Sequence, residues 1–262
     1  MKKVILIGML LVCILLLTMC EQASDNILEK PIEMEQAVDK GTEQPKQEQA
    51  VDHTTGQLKQ DTLEVKEPAV QEVFAQSFEY YSIDKEVEKR IVGISWKQNN
   101  TIKLEDLCYL KVTYWGFDEK PHIGELIVNK DIGHEVIEIF QELYEAKFPI
   151  EKMKLIDEYD GIDSKSMADN NTSAFCYREV DGKPGKLSKH SYGIAIDINP
   201  VQNPYVYQEK IAPEKGIEYI DRSKTSKGMI TANDVCYKAF TNRGWTWGGD
   251  WKYEKDYQHF QK

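Results

Sequence analysis

Apolar and polar positions divide the chain into three regimes. Residues 4–19 form an unbroken apolar run behind Lys2 and Lys3, and residues 21 to about 68 hold almost no aromatic or β-branched clusters. Beyond them the apolar positions recur with structural periods. Residues 107–117 set Leu110, Val112 and Tyr114 against Tyr109, Lys111 and Thr113, the period of two that marks a half-buried strand. Residues 124–128 predict a second strand. Asp131 then stands as cap of a helix in which Ile132, Val136, Phe140 and Tyr144 recur every fourth position, with Ile137 and Leu143 widening the stripe and Pro149 past its end. Residues 73–81 and 84–91 predict a helical lead-in. A further helix is expected over 231–243, opened by the capping-box pair Thr231 and Asp234 and closed by Gly244. Short strands are expected at 153–159, 173–178, 192–198, 245–247 and 257–260. Asn170-Asn171 and Asp181-Gly182 supply turn chemistry between them. Strands mixed with segregated helices, without βαβ alternation, predict a single α+β domain with a mostly antiparallel sheet.

The first two regimes change where that domain begins. Two lysines followed by sixteen apolar residues have the order of an export signal, and the run is shorter than the roughly 20 residues of a spanning helix. Leu17-Thr18-Met19-Cys20 resembles a bacterial lipobox, with Met19 where a small residue is usual. Cys20 is therefore the candidate lipidation site, which makes a membrane-tethered lipoprotein the expected form; an uncleaved signal anchor or a secreted form is the alternative. All of these place the remainder outside the cytoplasm. Residues 21–70, rich in Glu, Gln, Lys, Asp and Thr, bury too little to offset their ordering entropy and are expected to be a solvated tether. The folded part is thus expected over 71–262.

A net charge of −11 and a pI near 5.1 exclude nucleic acid as a principal partner, because phosphate binding needs a basic footprint. Cys108, Cys176 and Cys236 are too few and too odd in number for a disulfide framework.

The strongest chemical signal is Ser188-Lys-His190-Ser-Tyr192-Gly193-Ile-Ala195-Ile-Asp197. A loop running into a strand can aim the His190 imidazole and the Asp197 carboxylate at one point, and zinc accepts both donor types. Some sixty residues on, Asp256-Tyr-Gln-His259-Phe260 brings a second imidazole and a carboxylate three positions before it. Catalytic zinc sites use three protein ligands and leave a fourth position for water. His190, Asp197 and His259 are the candidate ligands of one Zn2+ ion, and Asp256 is the candidate base for its water. Arg178, shortly before the first ligand segment, is the candidate cation for a developing oxyanion or a substrate carboxylate. Asp250 is a candidate partner for a ligand histidine's second ring nitrogen. Trp245, Trp247 and Trp251 could line a groove or belong to the core. His122 and His134 have no partner motif.

These residues resemble the D-alanyl-D-alanine carboxypeptidase and L-alanyl-D-glutamate endopeptidase family of zinc peptidases, related in fold to lysostaphin-type enzymes and the hedgehog domain. The S-x-H-x-x-G-x-A-x-D element matches at Ser188, His190, Gly193, Ala195 and Asp197. Trp245-Thr-Trp247-Gly-Gly-Asp250-Trp251 followed by Asp256-Tyr-x-His259-Phe260 is similar to the endopeptidase branch, although Gln258 stands where Pro is common there. The likeness is specific over about 157–262. It implies His190, Asp197 and His259 as zinc ligands, Asp256 as base and Arg178 as the arginine of the family's Tyr-Arg element; Ser188, Tyr192, Trp247 and Asp250 stand as candidates for substrate contact or support. It further implies hydrolysis of peptidoglycan stem peptides; a monomer is the expected form, with oligomeric state left open by the sequence. D-alanyl-D-alanine carboxypeptidase activity is the alternative within enzymes, and a non-catalytic zinc-containing wall-binding module is the alternative outside them.

Overall fold

The computed structural model describes residues 74–99 and 101–262, all within one compact unit, Glu67–Lys262. The expected export signal, Cys20 and the whole of the expected tether, residues 21–70, lie outside the described residues.

The fold opens with strand β1 (Phe78–Ser82) and helix α1 (Lys85–Ile91), followed by the long hairpin β2 (Leu107–Gly116) and β3 (Pro121–Asn129). Helix α2 (Gly133–Glu145) leads to the short strands β4 (Pro149–Ile150) and β5 (Lys152–Met153), helix α3 (Asp163–Ala168) and strand β6 (Asn171–Thr172). Hairpin β7 (Glu179–Val180) and β8 (Lys183–Leu187) precedes β9 (Ala195–Asp197) and a second hairpin, β10 (Tyr205–Tyr207) and β11 (Lys210–Ala212). Helix α4 (Val235–Thr241) and strands β12 (Thr246–Trp247), β13 (Lys255–Asp256) and β14 (His259–Gln261) complete it.

The largest sheet runs β1-β2-β3 with antiparallel pairing, and β4 adds to β2 in parallel. Helix α2 covers one face through Val136, Ile139, Phe140 and Leu143, which join Leu110, Val112, Leu126 and Val128 in the main core. Val87 and Ile91 of α1, with Leu155 and Phe175, cover Tyr109 and Ile127 on the other face. The predicted half-buried strand is consequently covered on both sides. Thr113 is fully buried, bonded through its hydroxyl to Ser77, and Lys111 is the exposed exception. Phe140, Phe240 and Phe260 are fully enclosed, each worth about 1.5–3 kcal/mol relative to exposure.

The α+β class and the antiparallel preference are as the pattern predicts, but several local expectations need correction. Residues 78–82 form a strand rather than a helical lead-in, because Tyr80 and Tyr81 pair with Leu110 and Tyr109 of β2. Asp131 caps nothing: Asn129 accepts its N–H to close a 3-10 turn, and α2 starts at Gly133 with no side-chain cap. Asp234 itself caps the helix that starts at Val235, while Thr231 donates to Asp234 one turn earlier. The expected strand at 153–159 stops at Met153, and Asp157 in the 3-10 turn after it takes two hydrogen bonds from Ser95. Residues 173–178 run extended but form no ladder, since Phe175, Cys176 and Tyr177 donate to Ile127, His190 and Ser95 respectively. Cys108, Cys176 and Cys236 are buried free thiols.

Candidate metal centre

A small sheet, β12-β14-β9, carries the centre. Its antiparallel register sets His259 directly opposite Asp197 and Phe260 opposite Ile196. Alternation then sends Phe260 and Ile196 into the core while His259 and Asp197 share the other face. His190 arrives from the 3-10 turn Lys189–Tyr192, whose N-cap Ser188 accepts the His190 N–H through its hydroxyl. The turn ends at Gly193, which has φ +68° and lies so close to Asn129 that a Cβ would fall 2.5 Å from its backbone nitrogen. Only glycine fits there.

The three side chains converge. His190 Nε2 lies 3.1 Å from Asp197 Oδ2 and 3.2 Å from His259 Nδ1, and His259 Nδ1 lies 2.8 Å from Asp197 Oδ1. All three residues are buried. Their second contacts settle what they offer one another. His190 Nδ1 is 2.5 Å from the Ala174 carbonyl, which can only accept, so a neutral His190 turns a bare Nε2 toward the cluster. His259 Nε2 faces Gln261 Oε1 at 3.2 Å, leaving Nδ1 bare when the ring is neutral. Two nitrogen lone pairs and a carboxylate then point at each other with no donor between them, an arrangement that needs a cation or a proton.

Titration behaviour reflects that need. Burial opposes the charge on Asp197, yet the two imidazoles hold its carboxyl well below the usual carboxylate range. Burial likewise disfavours a charged His259, but its hydrogen bond to Asp197 and the charges of Asp197 and Asp256 raise the ring to about 9. Without a metal, a proton fills the role of the cation.

Asp256 pairs in register with Tyr205 at the edge of sheet β11-β10-β13, three residues before His259. Gly248 lets the Trp-Gly-Gly loop lie against it, since a Cβ there would sit 2.4 Å from the Asp256 carbonyl oxygen. Burial pushes the Asp256 carboxyl up to about 6; His259 acts to lower it, Asp197 to raise it, and a hydrogen bond from Gln258 to lower it. The Arg178 backbone is stitched to the His190 turn: its N–H donates to Ser191 Oγ, and its carbonyl accepts from Ser188 N–H and from the Ser191 hydroxyl. Its guanidinium pairs with Asp163 at 2.9 Å, and its Nε is buried without a partner. Burial works against that charge, and Asp163 and Asp197 more than restore it.

The family described as D-alanyl-D-alanine carboxypeptidase matches residues 181–262. Over residues 181–262 the chain carries a segment similar to that peptidase family. No curated protein and no solved structure matches it. The carboxypeptidase-family match takes in His190, Asp197, Asp256 and His259 and begins three residues after Arg178. Within the matched segment the buried His190–Asp197–His259 group could hold a metal ion.

Other sequence expectations meet different fates. Asp250 is exposed and its charge acts on Tyr237, so it supports neither histidine; the Ala174 carbonyl and Gln261 take that place. Trp245 and Trp247 are core residues, with Trp247 Nε1 donating to the Tyr257 carbonyl, so neither lines a groove. Trp251 is partly exposed and tilts against the His259 ring at 5.5 Å. Tyr192 is half-buried at the end of the His190 turn, where its carbonyl accepts from Asn129. His122 bonds Asp118 and His134 pairs with Glu138, both away from the centre. Asp163, the partner of Arg178, had no sequence signal of its own.

Proposed function

We propose that the chain is an exported zinc peptidase that hydrolyses the stem peptides of peptidoglycan, of the L-alanyl-D-glutamate endopeptidase type. The observation that carries the proposal is the convergence of His190, Asp197 and His259 within mutual contact distance, with Asp256 on the adjoining strand. Zinc bonds of about 2.0–2.2 Å in a tetrahedron separate donors by about 3.3–3.6 Å, so the three side chains need only small outward shifts to accept the ion. Two imidazoles and one carboxylate are a zinc-type donor set with a corner left for water.

When bound, zinc supplies Lewis acidity and brings the pKa of its water to about 7. The chain's residues do the rest. Asp256, as carboxylate, takes the proton of the attacking water and returns it to the departing amine. Arg178 offsets the negative charge that develops on the carbonyl oxygen, from a site where burial strengthens the interaction. Asp163 keeps that guanidinium in place.

The endopeptidase type is favoured by an aspartate, rather than a glutamate, ahead of the last ligand histidine. The description of the matching family supports D-alanyl-D-alanine carboxypeptidase activity as the second reading, with Arg178 holding the terminal carboxylate. A wall-binding module with structural zinc is disfavoured by the retention of Asp256 and Arg178. Lipid attachment at Cys20 and the polar residues 21–70 would hold the domain at the outer membrane face and let it reach into the wall. Mass analysis of muropeptides incubated with the protein, with and without chelator, tests all of this. Release of L-alanine-side fragments supports the endopeptidase, release of D-alanine the carboxypeptidase, and unchanged muropeptides would refute both.

A further inference from the structure

Gln258 is 2% exposed, and its Oε1 is buried without a hydrogen-bond partner. A primary amide in such a place is a poor choice for packing alone, because an apolar side chain of similar length would leave no carbonyl stranded. What the amide does make is specific: Nε2 donates to Asp256 Oδ1 at 3.2 Å and rests against Met167 Sδ at 3.4 Å. No other side-chain hydrogen bond reaches Asp256 among the described residues. The Gln258 backbone is itself fixed, its carbonyl accepting from Ile198 N–H beside Asp197.

Resting on the reading of Asp256 as the base, we infer that Gln258 is a positioning residue: its amide locks the Asp256 carboxylate in one rotamer, occupying Oδ1 so that Oδ2 receives the proton. Helix α3 backs this arrangement from behind. Met167 touches the Gln258 amide, and Asp163, four residues earlier on the same helical face, grips Arg178. One short helix therefore braces both the base and the cation on which the reaction depends.

The test uses the full-length, zinc-loaded protein and the variants Gln258→Met, Asp256→Asn and the double variant, assayed on purified muropeptides. Gln258→Met keeps length and loses the donor. It is expected to lower kcat roughly 10- to 100-fold with KM within about twofold and zinc content unchanged. In the Asp256→Asn background the same change is expected to cost nothing further. An unchanged kcat, a rise in KM alone, additive losses or loss of zinc would each overturn the assignment. Thermal unfolding of the metal-free proteins supplies an independent reading: the two single substitutions should shift Tm non-additively, and additive shifts reject the contact. If Asp256→Asn retains turnover, the base assignment itself fails, and the unfolding cycle alone then decides whether Gln258 holds the carboxylate. Should Gln258→Met not fold, Gln258→Leu takes its place in both measurements.

Discussion

His259 and Asp197, 62 residues apart in the chain, are direct cross-strand neighbours, and their side chains meet at 2.8 Å on the face of the sheet opposite Phe260. Backbone pairing, rather than the side chains' own attraction, brings them together. His190 is delivered by the turn that leads into β9, so one continuous segment supplies two of the three side chains and β14 the third.

Replacing His259 or His190 with Ala removes one of three donors. Zinc content should fall from about one equivalent to near zero, and hydrolysis should drop at least about 1000-fold, since both roles of the ion are lost. Metal analysis after dialysis, alongside muropeptide assays, checks this.

Metal binding should be proton-linked. His259 in the metal-free protein titrates near 9, so below that pH zinc must displace a proton from the cluster. Affinity should weaken about tenfold for each pH unit lowered between roughly 8.5 and 6.5. Calorimetry in buffers of different ionisation heat should register one proton released per ion; none released would contradict the donor assignment.

Asp256→Asn should retain zinc and lose activity by about 100- to 10,000-fold. In the wild type, burial holds the bare carboxyl up to about 6, and a cation nearby would draw it lower. The base must be ionised, so kcat/KM should fall as pH drops through a limb at or below about 6. The Asn variant should lose that limb.

Gln261→Ala removes the acceptor that faces His259 Nε2. Zinc affinity should weaken about 10- to 100-fold with the fold intact. Competition against a chromogenic chelator measures it.

Away from the centre, Arg90 grips Glu125 through two hydrogen bonds of 2.9 and 2.7 Å, and Tyr109 bonds the same carboxylate. Arg90, though opposed by partial burial and helped by Tyr109, sets the Glu125 carboxyl below its ordinary range. A depressed acid contributes stability above its unfolded value, about 4.3, and loses it as pH falls through the folded value. Glu125→Gln should thus cost about 1–2 kcal/mol at pH 7 and little at pH 3, read by urea unfolding at both.

The candidate donors were legible because their spacing is local: His190, Gly193 and Asp197 belong to one turn and strand, and Asp256 and His259 to one strand approach. Helix α2 and the β2–β3 hairpin were legible for the same reason, since their periodicity is carried by the residues themselves. What stayed hidden depends on distant partners. The Ala174 carbonyl is a backbone atom without any sequence mark, and Asp163 gains meaning only from the fold that lays α3 against Arg178. Residues 78–82 form a strand because β2 offers an edge, which their own pattern does not record. Trp247 lies in the core and Asp250 outside it because Gly248 lets the loop between them press against the Asp256 backbone, a contact that the local sequence does not record.

Phe260 stacks on Phe240 at 4.1 Å and is fully enclosed. A slip of β14 by a single residue would drive the His259 ring into hydrocarbon and turn Phe260 onto the face that carries Asp197. The oily side of this strand thus acts as a ratchet for its polar side. Errors in alignment are rejected by the core, and the fold itself aims the three candidate donors at one point.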